Sequence, residues 1–148
     1  MTWSGVIPRN SKRGGVYIYF KENLIFRNDI SPLAEWVVCE IKIKRSNCFV
    51  SCIYRSSNQS EDKLHNFSRD FETTCENIAM ENPVCSVVLG DFNAKNKKWW
   101  STGINNTCGL LLDDLSVSLG LSQLISESTN FEPNKSPSCI DLIFCQPT

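Results

Sequence analysis

The hydrophobic pattern of the chain switches between the two-residue period of strands and the three-to-four-residue period of helices. From Trp36 to Lys44, apolar side chains alternate with Glu40 and Lys42, which predicts a half-solvated strand near an edge or outer face of a sheet. The run from Cys48 to Tyr54 is apolar on both sides apart from Ser51, and it predicts a more central strand. Shorter apolar runs also predict strands, at 16–20, 24–26, 84–89, 122–125 and 140–144.

Two segments have helical spacing. In the first, Ser60 stands where it can cap a helix ahead of the acidic residues Glu61 and Asp62. The predicted buried face of this helix comprises Leu64, Phe67, Phe71, Cys75 and Ile78. A second helix is predicted from Leu110 to Leu119, before the stop at Gly120. Without an internal repeat or linker, this order favours one α/β domain over residues 1–148.

Composition and net charge exclude few classes of protein. With 41% hydrophobic and 21% charged residues, the chain has an ordinary globular composition. Its net charge of −1 provides no global attraction for nucleic acid, so any basic surface must be a local patch. Basic runs occur at 9–13, 42–45 and 95–98, and each of them is also compatible with a plain solvated loop. Only the last run lies beside a chemically suggestive motif.

The eight cysteines do not form the paired C-x-x-C motifs of a zinc site. The N-terminus lacks the apolar core of a signal peptide, and no apolar run approaches the roughly 18 residues of a membrane span. We therefore expect an intracellular protein without membrane contact, whose thiols are reduced and mostly structural.

The segment Gly90-Asp91-Phe92-Asn93 follows a short buried strand and contains the most suggestive polar pair. On an extended segment, the side chains of Asp91 and Asn93 would project on the same side. Such a pair can hold a divalent cation or its water and can hydrogen-bond a phosphate oxygen, while Gly90 permits a tight exit from the strand. The same residues also favour a simple turn that closes a strand, and their spacing leaves both interpretations open.

Asp141 and Tyr54 are further polar groups at strand ends. Alternation places Asp141 on the side of Ile143 and Cys145, where a buried carboxylate requires a cation or several donors; the alternative is an exposed strand start. The phenol of Tyr54 either meets solvent or a phosphate, or is half-buried in the core. The single histidine, His65, is expected to be exposed on the first helix, which gives little support to Ser-His-Asp or Cys-His chemistry.

Trp99 and Trp100 follow the lysine run at 95–98. This combination of cations and aromatic rings could lie against nucleic-acid bases, or the two rings could plug the loop onto the core. The sequence has no Gly-rich P-loop and no dinucleotide fingerprint.

Five motifs follow one another along nearly the whole chain. They are Arg13-Gly14-Gly15-Val16-Tyr17-Ile18-Tyr19, Ile53-Tyr54-Arg55, Val88-Leu89-Gly90-Asp91-Phe92-Asn93-Ala94-Lys95, Asn106 through Gly109 to Leu112, and Ser138-Cys139-Ile140-Asp141-Leu142-Ile143-Phe144. In this order they resemble the endonuclease/exonuclease/phosphatase superfamily, most closely the endonuclease domain of LINE and jockey-type retrotransposons. One such motif alone would be a weak signal, but five in the right order are specific.

The resemblance implies a two-sheet α/β sandwich of four layers, with helices outside and the active site at one end of the sheets. It also implies attack of water on a phosphodiester with Mg²⁺ or Mn²⁺. Asp91 would hold the metal and orient or deprotonate the water, Asn93 would bind the phosphate, Tyr54 would lie near the scissile phosphate, and Asp141 would orient a histidine. The residues expected to contact substrate are Asn106, Ser138 and Lys95.

The chain departs from the family pattern at both ends. The family has an asparagine and a metal-binding glutamate upstream of the segment that Arg13 begins, and only 12 residues precede Arg13. It also has a Ser-Asp-His segment after the strand at 140–144, whereas this chain stops at Thr148. We therefore expect a domain that is incomplete at both ends, with a weakened metal site and little or no activity unless other segments restore it.

The function expected from the resemblance is nicking of target DNA by a fragment of a LINE-type retrotransposon endonuclease. Its partners would be DNA and the reverse transcriptase domain of the complete polyprotein. Asn93-Ala94-Lys95 followed by Trp99-Trp100 favours the nuclease over a phosphatase or phospholipid phosphodiesterase of the same superfamily. The alternative from a different class is a catalytically dead module that binds nucleic acid or protein.

Overall fold

The computed structural model of the chain describes residues 3–4, 16, 18, 20–21, 35–101, 103–134 and 136–146. Its elements, in chain order, are β1 (Trp3–Ser4), β2 (Phe20–Lys21), β3 (Glu35–Ile43), β4 (Ser46–Tyr54), α1 (Glu61–Met80), β5 (Cys85–Asp91), α2 (Thr107–Ser118), β6 (Ser122–Gln123) and β7 (Asp141–Cys145). Strands β1 and β2 pair antiparallel with each other. The remaining described strands form a five-stranded sheet in the order β3-β4-β5-β7-β6.

This sheet is mixed, because one pair of strands is parallel and the others are antiparallel. β3 and β4 form an antiparallel hairpin through a turn at Lys44 and Arg45. β4 and β5 are parallel neighbours, and α1 makes the crossover that such a pair requires. β7 then runs antiparallel to both β5 and β6. The carboxyl ends of β4 and β5 and the start of β7 therefore meet at one edge of the sheet.

The core lies between one face of this sheet and both helices, because buried residues of α1 and α2 share a single hydrophobic cluster with the sheet. Phe71 of α1 has ring-centroid distances of 5.8 Å to Trp36, 6.1 Å to Phe144 and 6.2 Å to Phe92. Aromatic packing of this kind combines a large buried area with defined geometry. Phe92 therefore anchors the Asp-Phe-Asn segment directly in the core.

The α/β class predicted from the sequence is confirmed, and most predicted elements lie where the pattern placed them. The edge strand, the central strand and the first helix are all present, and the five residues predicted for the buried face of α1 are buried. The predicted strand at 16–20 is described only in part, through β2. The strand predicted at 24–26 and the basic run at 9–13 lie outside the described residues.

Three details differ from the prediction. Glu40 is only 3% exposed rather than solvated, because it lies on the same side of β3 as Trp36, which packs against α1. Ser60 does occupy the N-cap position of α1, but its side chain makes no capping hydrogen bond. The second helix begins three residues earlier than predicted, because the side chain of Asn106 caps it by accepting from Gly109 N.

No helix in the described ranges is long and apolar enough to span a membrane.

Candidate active site

Strand β5 leads into the site, and its second-last residue is Gly90, whose backbone has φ +144°. A Cβ atom at this position would lie 1.8 Å from the carbonyl oxygen of Ile53 on the adjacent strand β4. Only glycine allows the two backbones to approach this closely. Gly90 therefore keeps Asp91 in register with the end of β4. This role goes beyond the tight exit from the strand that was expected of Gly90.

Three polar residues form a row across the sheet at this edge. Asp91 is opposite Tyr54 on β4 and opposite Asp141 on β7. Directly opposed residues project on the same face of a sheet, so the phenol and the two carboxylates are neighbours. Tyr54 is 37% exposed, and Asp141 lies at the exposed start of β7, which is the second of the two alternatives left open for it. The structure thus brings together three predicted catalytic residues.

The pKa of Asp91 is raised above its ordinary value. Burial is the largest cause, and the negative charge of Asp141 adds to it. Two groups act in the opposite direction: the backbone N–H of Asn93 and the positive charge of Arg55 both lower the pKa. The site therefore carries two opposed carboxylates whose mutual repulsion a bound cation would relieve.

The segment after Asp91 turns instead of continuing as the extended backbone that the spacing argument assumed. Asn93 has φ +47°, in the left-handed region, and its backbone N–H donates to Asp91 Oδ1 at 3.0 Å. Asp and Asn favour such a turn because their short side chains bond to nearby backbone. The side chain of Asn93 donates through Nδ2 to the backbone oxygen of Arg55 at 2.7 Å. The simple turn and the candidate site, which were two alternatives for this segment, are thus formed by the same residues.

Arg55 lies beneath this turn and was given no role by the sequence argument. Its guanidinium donates to Phe92 O at 2.7 Å and to Asn93 O at 3.1 Å. It also donates to Ser56 O at 3.0 Å and to Gln59 Oε1 at 3.3 Å. One side chain therefore ties the segment after β4 to the turn after β5.

Asn106 connects the turn to α2. Its Oδ1 accepts from Gly109 N at 2.8 Å and from Lys95 N at 3.0 Å, and its Nδ2 donates to Asn93 O at 2.9 Å. A Cβ atom at Gly109 would lie 2.0 Å from Lys95 O, so the loop packs directly on the first turn of α2. Asn106, expected to contact substrate, is placed here as a link between the turn and the helix.

A cavity of about 250 Å³ lies between the β5–α2 loop and the segment before β7. Lys95 and Ser138, the other two residues expected to contact substrate, both line it, together with Trp100. The ring of Trp99 instead packs edge-on against Phe144 with a centroid distance of 5.8 Å, as expected of a plug on the core. Both tryptophans pack against the hydrophobic core, and Trp100 in addition lines the cavity.

The remaining candidates lie away from this row. His65 is exposed on α1, as expected. Lys98 forms an ion pair with Asp113 of α2, and that hydrogen bond raises the pKa of Lys98. Lys97 is exposed, and its backbone N–H donates to Asn105 Oδ1 at 2.8 Å.

Thr129 is a further residue at this edge that was not predicted from the sequence. Its Oγ1 accepts from the backbone N–H groups of Ile140 at 3.1 Å and Asp141 at 3.0 Å. These two bonds fix the start of β7, and with it the position of Asp141. No motif or periodicity in the sequence indicates this long-range contact.

Asp91 and Asp141 fit a hydrated divalent cation, because Mg²⁺ is usually held by one or two carboxylates with water and substrate phosphate completing its shell. The residues that the structure describes contain no cluster of three or more His, Cys, Asp or Glu side chains suited to a metal. Among the described residues, the candidate metal ligands at this edge are thus the two carboxylates of Asp91 and Asp141.

The fold, together with a family match over most of the chain, places it in the endonuclease/exonuclease/phosphatase superfamily. The model of the family described as endonuclease-reverse transcriptase matches residues 48–148, and the chain belongs to this family. No curated protein matches the sequence.

Solved structures show the same fold. The endonuclease domain of TRAS1, a telomere-specific non-LTR retrotransposon, superposes with a TM-score of 0.67 at 20% identity; the match covers 88% of this chain and 59% of that domain. A mannosyl-6-phosphatase of Bacteroides thetaiotaomicron superposes with a TM-score of 0.51 at 17% identity, covering 78% of this chain and 43% of the phosphatase. The chain therefore spans about three fifths of the TRAS1 domain and less of the phosphatase.

Proposed function

We propose that the edge formed by Asp91, Asp141 and Tyr54 is the phosphate-binding side of a divalent-metal-dependent DNA endonuclease centre from a non-LTR retrotransposon of the LINE type. The observation that carries this proposal is the direct opposition of Asp91 and Asp141, with Tyr54 beside them. The fold shared with the TRAS1 endonuclease domain and the family match support it. The family description further suggests a reverse transcriptase domain as a partner in the complete element.

Each residue has a role that its position allows. Asp91 would hold a Mg²⁺ or Mn²⁺ ion and orient the attacking water, while Asp141 adds negative charge beside it. Asn93, through the second hydrogen of its Nδ2, and Tyr54, through its hydroxyl, would donate to a non-bridging phosphate oxygen. The cation, when bound, would neutralise charge on the phosphate and acidify a water ligand. Phosphoryl transfer depends chiefly on such positioning and charge stabilisation.

Lys95 and Ser138 would contact the DNA strand on the side of the cavity that they line. Asn106 would act on substrate indirectly, through Lys95 N and Asn93 O. This division separates residues at the reacting phosphate from residues that hold the flanking strand.

Nicking by these 148 residues alone should be slow. The sequence contains one histidine, and it lies on α1 rather than at the edge where Asp91 and Asp141 meet. General acid–base catalysis by an imidazole typically contributes about 10²–10⁴-fold. We therefore expect a nicking rate lower by roughly this factor than the rate of a centre that has an imidazole at this edge.

Metal binding at this edge can be tested without turnover. Mn²⁺ titrated into the ¹⁵N-labelled chain should broaden the amide signals of Asp91, Asn93 and Asp141 before others. Asp91→Asn should remove this broadening, whereas Asp114→Asn, at an exposed position on α2, should not. Equal broadening in the Asp91→Asn variant, or first broadening elsewhere, would refute the assigned metal site.

Substrate class is tested separately. With Mn²⁺, the chain should nick supercoiled plasmid while leaving p-nitrophenyl phosphate intact. Hydrolysis of the monoester without nicking would favour the phosphatase alternative. DNA binding that survives Asp91→Asn, with cleavage of neither substrate, would favour the non-catalytic binding module.

A further inference from the structure

Arg55 is a buried cation, with only 3% of its surface exposed. Its guanidinium donates hydrogen bonds to four oxygens at 2.7–3.3 Å. Three of these oxygens are backbone carbonyls and the fourth belongs to a side-chain amide, so all four are neutral. Burial of a charge is costly unless it is well hydrogen-bonded, and these four neutral oxygens of the described residues meet that condition for Arg55.

The two carbonyls that follow the site aspartate are the important acceptors. Phe92 O and Asn93 O both accept from Arg55, and Asn93 returns a bond from its Nδ2 to Arg55 O. The backbone N–H of Arg55 also donates to Asp91 O at 2.9 Å. Arg55 thus contacts every residue of the turn from Asp91 to Asn93.

We propose that Arg55 is a positioning residue for the phosphodiester-cleaving site: it holds the Asp91–Asn93 turn, in which Asn93 is left-handed, and places a permanent positive charge behind it. This inference rests on the proposed function of that site. Asparagine tolerates the left-handed backbone that Asn93 adopts better than most residues do, but this conformation is uncommon and still needs surrounding contacts to select it. The guanidinium supplies two of those contacts directly.

The fork shape of arginine is essential to this role. Its planar guanidinium offers five N–H donors in fixed directions, so it can reach Phe92 O, Asn93 O and Ser56 O at once. A lysine would retain the charge but would bond fewer of these oxygens. Arg55→Lys therefore keeps the positive charge but removes the planar set of donors, whereas Arg55→Gln removes both.

Local amide exchange provides a test that needs no enzymatic activity. In Arg55→Gln, hydrogen exchange at the backbone N–H of Asn93 should accelerate at least tenfold, while the amide of Val88, within β5, changes less than threefold. Arg69→Gln is the matched control, because Arg69 is exposed on α1 and donates to Asn66 Oδ1. Acceleration of Asn93 and Val88 by the same factor would overturn the proposal, since it would mean that Arg55 stabilises only the fold.

Kinetics provide the second test. In plasmid nicking, Arg55→Gln should lower kcat at least tenfold with KM for DNA changed less than threefold, and Arg55→Lys should recover part of the loss. An unchanged kcat, or Arg55→Lys no better than Arg55→Gln, would overturn the proposal. Absence of nicking by the unsubstituted chain would instead count against the proposed function, and amide exchange would still decide the role of Arg55. If Arg55→Gln fails to fold, the same exchange measurement is made on Arg55→Lys.

Discussion

Arg55 and Asn93 are joined by two reciprocal hydrogen bonds between positions 38 residues apart: Arg55 Nη2 donates to Asn93 O at 3.1 Å, and Asn93 Nδ2 donates to Arg55 O at 2.7 Å. The pair connects the carboxyl ends of β4 and β5, the parallel neighbours that carry Tyr54 and Asp91. The turn at the candidate site is therefore held by contacts within the chain itself.

The opposition of Asp91 and Asp141 predicts a coupled titration. Because the charge of Asp141 helps to raise the pKa of Asp91, Asp141→Asn should lower that pKa. Carbon-detected NMR titration of the Asp91 carboxyl measures this directly, with Asp114→Asn as the control. An unchanged or higher pKa of Asp91 in Asp141→Asn would show that the two carboxylates do not interact.

The same pKa gives a pH dependence of stability. Because the pKa of Asp91 lies above its ordinary value of 3.8, folding favours the protonated carboxyl. The stability that this preference contributes is fully present below pH 3.8 and is lost as the pH rises through the folded-state pKa. Asp91→Asn should therefore raise the melting temperature relative to the original chain more at pH 7 than at pH 3. A larger gain in melting temperature at pH 3 than at pH 7 would contradict the raised pKa of Asp91.

Phe92 should contribute to stability far more than its place in a polar motif suggests. It is fully buried and packs edge-on against Phe144 at a centroid distance of 5.5 Å. Phe92→Ala should lower the free energy of unfolding by about 3–5 kcal/mol. Phe131→Ala, at a position 70% exposed, should change it by less than about 0.5 kcal/mol. Similar losses in urea denaturation of the two variants would contradict the placement of Phe92.

Gly90 and Gly120 form a matched pair, since both have positive φ but different surroundings. A Cβ at Gly90 would collide with Ile53 O, whereas a Cβ at Gly120 would meet nothing within 4 Å. Gly120→Ala should cost about 1 kcal/mol, from backbone conformation alone. Gly90→Ala should cost several times more and should broaden the NMR signal of Asp91. Equal costs in thermal unfolding would refute the close approach of β4 and β5.

Cys48 should be an unreactive thiol. Burial, together with the hydrogen bond to Cys85 on the neighbouring strand, raises the pKa of Cys48 to about 11. Alkylation by iodoacetamide at pH 8, followed by peptide mass spectrometry, should be roughly 100-fold slower than that of a free cysteine peptide. Cys85→Ala should speed the reaction and Cys145→Ala should not. Fast alkylation of Cys48 in the original chain would contradict this pairing.

Periodicity alone predicted most of the fold. α1 and β4 carry nearly uninterrupted patterns, and both were located within two residues. The errors fall where a distant contact overrides a local pattern. Glu40 looked solvated because its neighbours alternate, but α1 covers its side of the sheet. Helix α2 begins before its predicted start because Asn106 caps it, and the apolar pattern carries no sign of that cap.

The candidate site was predictable in its residues but not in its geometry. Asp91, Tyr54 and Asp141 were singled out as strand-end polar residues, and strand register brings them together. The left-handed turn at Asn93 and the guanidinium of Arg55 beneath it depend on contacts 37 and 38 residues apart in sequence. No local signal encodes those contacts, because a buried arginine cannot be distinguished from an exposed one by its neighbours alone.

The most direct test of the proposed site is plasmid nicking by the purified chain in Mg²⁺ or Mn²⁺, compared with its Asp91→Asn and Asp114→Asn variants. We expect slow conversion of supercoiled to open-circular DNA, which stops on addition of EDTA, is abolished by Asp91→Asn and is unchanged by Asp114→Asn. Nicking that survives Asp91→Asn or persists in EDTA, or no conversion above the Asp91→Asn background, would contradict the proposed site.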